Sequence, residues 1–179
     1  MAKPYSSVIS ESKMELEVNL DELFGVKVPN NREFREAVGQ AIVDKIVERT
    51  QSGNKLTGGK FKGYSESYKK SAQFEAFGKS PGEVDLTLTG DMLGTLDIKA
   101  QSRNALRIGW RDETQNAKAF NHHTGDTLPA RPFFGLTDAE IKQIRDEFKD
   151  QVPQENNRGP QRLGDLLSSL TKIEKGEVG

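Results

Sequence analysis

Two groups of residues in this chain are of types that could do bond chemistry, and their spacing decides what that could be. His122 and His123 are the two histidines of the sequence, with Asp126 close behind. A metal site on a helix needs ligands three or four positions apart so that they face one way, and adjacent residues diverge. No second cluster supplies the missing ligands, so a turn or packing role is expected. A metal-dependent enzyme around these three residues is the third reading of function, behind the two developed below. Gly53-Asn-Lys-Leu-Thr-Gly58 has the glycine spacing of a phosphate loop. Gly59, however, stands where lysine belongs, Lys60 comes one late, and Phe61 replaces the hydroxyl that would hold the metal. Gly78-Lys79-Ser80 has the motif's ending, yet Gln73 replaces its first glycine and Pro81 follows. The chain has no cysteine and no Gly-x-Ser-x-Gly elbow. Neither an enzyme nor a bound metal or cofactor is expected.

Residues 55 to 79 could do a different kind of chemistry. Lys55, Lys60, Lys62, Lys69, Lys70 and Lys79 outnumber Glu66 and Glu75, with Phe61, Tyr64 and Tyr68 interleaved. Cations and rings in one segment can grip nucleic acid through phosphates and stacking. Across the chain 26 basic residues are balanced by 27 acidic ones. A solvated loop with inward-packed rings is therefore the simpler reading, and any DNA contact by Lys55, Lys60, Lys62, Lys69 and Lys70 would be weak and sequence-independent.

The most distinctive segment is Leu128-Pro-Ala-Arg-Pro-Phe-Phe-Gly-Leu-Thr137. Its two prolines stiffen the chain and hold Ala130 and Arg131 extended. Phe133 and Phe134 add large apolar area, and aromatic residues and arginine are enriched at interface hot spots. A stiffened arm lowers the ordering cost of binding. Pro129, Arg131, Pro132, Phe133 and Phe134 are accordingly the expected partner interface. At least one ring is expected inside its own domain, because neighbours on extended chain point opposite ways.

These segments must be carried by ordinary elements. Met14 to Leu20 alternates apolar and polar residues, which predicts a half-buried strand. Phe34, Ala37, Val38, Ala41, Ile42, Ile46 and Val47 make a helical stripe over 32 to about 50, capped by Asn30 or Asn31. Residues 51 to 63 predict a loop, Tyr64 to Phe77 a short helix, and Val84 to Leu88 another alternating strand. Met92, Leu93 and Leu96 fit a helical turn. Asp97 to Gln101 and Ala105 to Trp110 predict a hairpin with Ile98, Ala100, Leu106, Ile108 and Trp110 inward. Asn116 to Phe120 predicts a further turn. Thr137 and Glu140 form a capping box, with Leu136 stapled onto Ile141, for a helix burying Ile141, Ile144 and Phe148.

The 179 residues suit one domain, with 34% hydrophobic and 30% charged residues. The predicted fold is α+β: a long N-terminal helix on a small, mostly antiparallel sheet, a second helix after the Pro-Ala-Arg-Pro-Phe arm, and mobile termini. Residues 1–12 read as a mobile arm, 13–150 as the domain, and 151–179 as a linker and an amphipathic helix on Leu163, Leu166, Leu167, Leu170 and Ile173. That helix either docks on its own core or reaches a neighbouring subunit. No signal-peptide core opens the chain and no apolar run is membrane-length, so a soluble protein, cytoplasmic at synthesis and without membrane contact, is expected.

Residues 84 to 148 resemble the phage virion-morphogenesis family, which includes tail-completion proteins of tailed bacteriophages. The resemblance rests on Leu86-Thr-Leu-Thr-Gly90, Ala105-Leu-Arg-Ile-Gly109, Asn121-His-His-Thr-Gly125, the Pro-Ala-Arg-Pro-Phe run and the closing helix, in that order, with Tyr64-Ser-Glu-Ser-Tyr68 upstream. His123 stands where the family usually has Gln, and Phe134 where it has Leu. The resemblance implies a virion component that completes the tail or joins it to the head, as a homo-oligomeric ring without catalytic residues. Its implied partners are other copies of itself and further neck or tail proteins, with DNA at most passing through the lumen. Its implied location is the virion, after assembly in the host cytoplasm.

Overall fold

A computed structural model describes residues 2–86, 90–126 and 128–154. Strands β1 (Tyr5–Ile9), β2 (Met14–Asn19), β3 (Asp97–Gln101) and β4 (Ala105–Gly109) form one antiparallel sheet in the order β1-β2-β4-β3. With helices α1 (Leu20–Phe24), α2 (Arg32–Gln51), α3 (Glu66–Lys69), α4 (Ala72–Ala76), α5 (Asp91–Gly94), α6 (Glu113–Thr124) and α7 (Asp138–Phe148), the fold is α+β.

Alternation in β2 puts Met14, Leu16 and Val18 on the core face, beside Leu106 and Ile108 of β4. On the opposite face Glu17 faces Arg107, and Glu15 lies between Lys13 and Lys99, 3.2 Å from each ammonium. Burial alone would raise the Glu15 pKa, but the two lysines outweigh it and hold the carboxyl below its ordinary range.

Helix α2 covers the sheet with Phe34, Val38, Ile42 and Ile46, four residues apart, and Asn31 caps it by accepting from the Phe34 amide at 3.2 Å. Gly39 lets α2 approach β3, since a β-carbon there would sit 2.4 Å from the Ile98 side chain. Helix α7 packs on α1 and α2, and the Phe34 ring meets Phe24 at 5.6 Å and Phe148 edge-on at 6.0 Å. The Thr137–Glu140 capping box is present, and Leu136, Ile141, Ile144 and Phe148 are buried as their spacing predicts.

The structure corrects five expectations. Residues 1–12 are not simply a mobile arm, because Tyr5–Ile9 pairs with β2 from Tyr5↔Val18 to Ile9↔Met14. Tyr5 pins that strand: its hydroxyl donates to the Leu136 carbonyl at 3.0 Å and accepts from the Leu136 amide at 3.2 Å. Ala100 faces outward, since a bulge between Ile98 and Ala100 shifts the register and pairs Ala100 with Arg107. Residues 84–86 are not strand, and Leu86 adopts a φ of 53°. Val84 and Leu86 are nonetheless buried, so the alternation marked burial without a pairing partner. The segment 64–77 is two helices, because Ser71 caps a new start by accepting from the Phe74 amide at 3.2 Å. The turn at 116–120 is part of the longer α6, which carries both histidines in its last turn. Asn116 ties α6 to the β1–β2 hairpin through the Met14 amide (2.7 Å) and the Glu11 carbonyl (2.8 Å). The rest of the strand expected at 84–88, the linker beyond residue 154 and the helix over Leu163 to Ile173 lie outside the described residues.

Candidate functional site

The Pro-Ala-Arg-Pro-Phe-Phe strip is threaded through the protein, hydrogen-bonded along both sides. Helix α6 ends at Gly125 in the left-handed region (φ 77°), where a β-carbon would lie 2.5 Å from the Ala130 nitrogen. That close return lets the Arg131 amide donate to the His122 carbonyl at 2.8 Å, while the Pro132 carbonyl accepts from Leu56 at 2.8 Å. Next, the amides of Phe133 and Phe134 converge on His123 Nδ1 at 3.3 and 3.2 Å. From the other side Arg49 of α2 donates to the carbonyls of Phe133 and Gly135 and pairs with Glu140.

This overturns the picture of a presented arm. Phe133 is 0% exposed and Phe134 2%, with the Trp110 ring 6.2 and 5.0 Å from theirs. Both rings go inward because the strip lies between α6 and α2, so opposite sides of an extended chain both meet core. Arg131 is buried too, at 4% exposure. Pro129 and Pro132 are half-buried, and among the described residues of this segment Leu128 and the small Ala130 are exposed.

The histidines are held by the fold in different ways. His123 Nδ1 accepts two amides and so must be unprotonated there. His122 faces the other way, with a buried Nδ1 that has no hydrogen-bond partner. Asp126 is exposed, and among the described residues no three His, Cys, Asp or Glu side chains are grouped as a metal would require.

Burial lowers the pKa of both imidazoles, and burial with the nearby Arg131 charge takes His122 down to about 4. The unfolded chain binds these protons near the ordinary 6.5 while the folded chain does not. The histidine contribution to stability is therefore complete above that pH and lost as pH falls toward the folded values. The denaturation midpoint should decline between about pH 6.5 and 5, before the carboxylates titrate. A His122→Gln, His123→Asn variant keeps an amide acceptor at 123 and should show a flatter profile. An unsloped wild-type profile in that window would contradict the assignment.

Arg131 lines a cavity of about 250 Å³ with Tyr64, Tyr68, Leu86, Leu128 and Pro129. Ser65, His122 and Lys79 add polar groups to its wall, and Lys79 pairs with Asp85 at 2.5 Å. The Arg131 guanidinium lies 5.6 Å from the centre of the Tyr64 ring and donates through Nε to the Lys62 carbonyl at 3.1 Å. Burial pushes its pKa down from the usual arginine value.

The basic loop is less available for nucleic acid than its composition suggests. Lys60 donates to the Ser52 carbonyl at 2.8 Å and Lys69 pairs with Glu66 at 2.8 Å. Tyr64, Tyr68 and Phe74 pack on one another edge-on or tilted, with centres 5.3 to 5.5 Å apart, and Phe61 is buried. Lys62 and Lys70 are exposed and Lys55 is half-buried.

Arg49 was not singled out by sequence reasoning, although its position three residues after buried Ile46 placed it near the inward stripe. No protein-family model, characterised protein or solved structure matches the chain.

Proposed function

We propose that this protein is a structural component of a phage particle, completing the tail or joining tail to head as a homo-oligomeric ring. It works by shape and turns over no substrate. Its partners are copies of itself and adjoining neck or tail proteins, and it resides in the virion after assembly in the host cytoplasm.

The observation that carries this reading is the use to which the resembling residues are put. Gly90 starts α5, Gly125 closes α6, His123 holds the strip, and Thr137 caps α7. The motif residues thus act as caps, tight turns and core rings, the parts a rigid assembly subunit needs. With the strip inside, the contact surface shifts to its exposed edge at Leu128. A nucleic-acid module remains the weaker reading, supported by exposed Lys62 and Lys70 and opposed by rings already packed against one another.

Deleting the gene from its phage should yield heads and tails that fail to join, or tails with unfinished ends, under the electron microscope. The protein should also be found in mature particles at a constant copy number per particle. Normal infectious particles without the gene would overturn the proposal. Retention on DNA that falls steeply with salt would move the reading to the lysine loop.

A further inference from the structure

We propose that the cavity behind Pro129 binds a small organic carboxylate with an apolar or aromatic body, through the Arg131 guanidinium. The inference goes beyond the assembly role and does not depend on it.

The starting point is a charge without a counterion. Arg131 is 4% exposed, yet no carboxylate pairs with it among the described residues. Its side chain meets two backbone carbonyls, Lys62 at 3.1 Å and Gly63 at 3.4 Å, and the face of Tyr64. These neutral groups solvate a cation without cancelling its charge, and buried cations are ordinarily paired. Among the described residues Nη1 has no hydrogen-bond partner, and the Arg131 side chain lines the cavity. It is therefore free to donate to an anion entering the cavity that Arg131 lines.

The remaining walls define the rest of the ligand. Tyr64, Tyr68, Leu86, Leu128 and Pro129 give the cavity mainly apolar sides, and about 250 Å³ accommodates one ring with a short acidic tail. A single planar guanidinium matches the two oxygens of a carboxylate. A phosphate dianion would call for a second unpaired cation, and the other lysine or arginine in these walls, Lys79, is already engaged. Lys79 already has Asp85 as its partner, which leaves the uncompensated positive charge at Arg131.

The full-length protein can be tested by titration with three probes, followed through its histidine and tyrosine ring signals in NMR. Phenylacetate is the probe of the proposed chemistry, phenylacetamide is its uncharged counterpart, and acetate carries the charge without the ring. Phenylacetate should saturate the His122 and Tyr64 signals with a Kd of about 1 mM or tighter, about tenfold better than either control. The bound anion should also raise the His122 pKa, because it cancels the Arg131 charge nearby. Arg131 substitutions risk the fold, so the second arm uses Leu128→Glu, a rim change that supplies an internal competing carboxylate. Phenylacetate affinity should then fall about tenfold at an unchanged melting temperature. Equal affinity for acid and amide, no saturable shift in folded protein, or full affinity in the Leu128→Glu variant would each overturn the proposal.

Discussion

Replacing Arg49 with methionine should lower the stability of the isolated subunit by about 3–5 kcal/mol, the usual cost of breaking one side of a buried ion pair. The Arg49 and Glu140 side chains are 9% and 11% exposed. Removing the guanidinium strands the Glu140 carboxylate, whose Oε2 would keep only the Thr137 amide at 2.8 Å. It also withdraws the donor from the carbonyls of Phe133 and Gly135, and unpaired buried acceptors are costly in their own right. A further Glu140→Gln change should restore part of the loss, since glutamine can still accept from the Thr137 amide and carries no charge. The double-mutant cycle should give a coupling of about 1–3 kcal/mol by denaturant unfolding. A loss below about 1 kcal/mol for the single variant would mean that the pair is solvated and does not hold the strip.

The parts of this fold legible in the sequence are those that local physics decides. The capping box at Thr137 was readable because cap, partner and staple lie within six residues, and the stripe from Phe34 to Ile46 because helical period exposes one face. Long-range events were not readable. Tyr5 looks like part of a polar arm until Leu136, 131 positions away, offers both its carbonyl and its amide to the Tyr5 hydroxyl. The bulge that turns Ala100 outward is a property of the β3–β4 pair and leaves no mark on either strand alone. At the candidate site Arg131 and the two Phe residues stand out in the sequence, but their burial follows from bonds to distant residues, Arg49 on α2 and the two histidines on α6. The cavity beside Arg131 gathers residues from 64 to 131, a grouping that spacing along the chain cannot express.

Phe134→Ala should cost about 3–5 kcal/mol in the stability of the monomer itself, measured at concentrations too low for association. The ring is 2% exposed and lies 5.0 Å from Trp110, whose Nε1 is fixed by donating to the Met92 carbonyl at 2.6 Å. Trp110 therefore cannot shift far to fill the space, and the cavity persists. Phe134→Leu preserves most of the apolar volume and should cost less than about 1.5 kcal/mol. An interface role for the same ring gives the opposite pattern: a monomer of normal stability that fails to assemble. Leu128 provides the matching control, since it is 40% exposed and its replacement by serine should change monomer stability by no more than about 0.5 kcal/mol. If the surface used by partners lies at the outer edge of the strip, Leu128→Ser weakens assembly while leaving the fold intact. Phe134→Ala weakens assembly only in proportion to the unfolded fraction. A Phe134→Ala monomer as stable as the wild type would move the ring back to the surface and restore the presented arm.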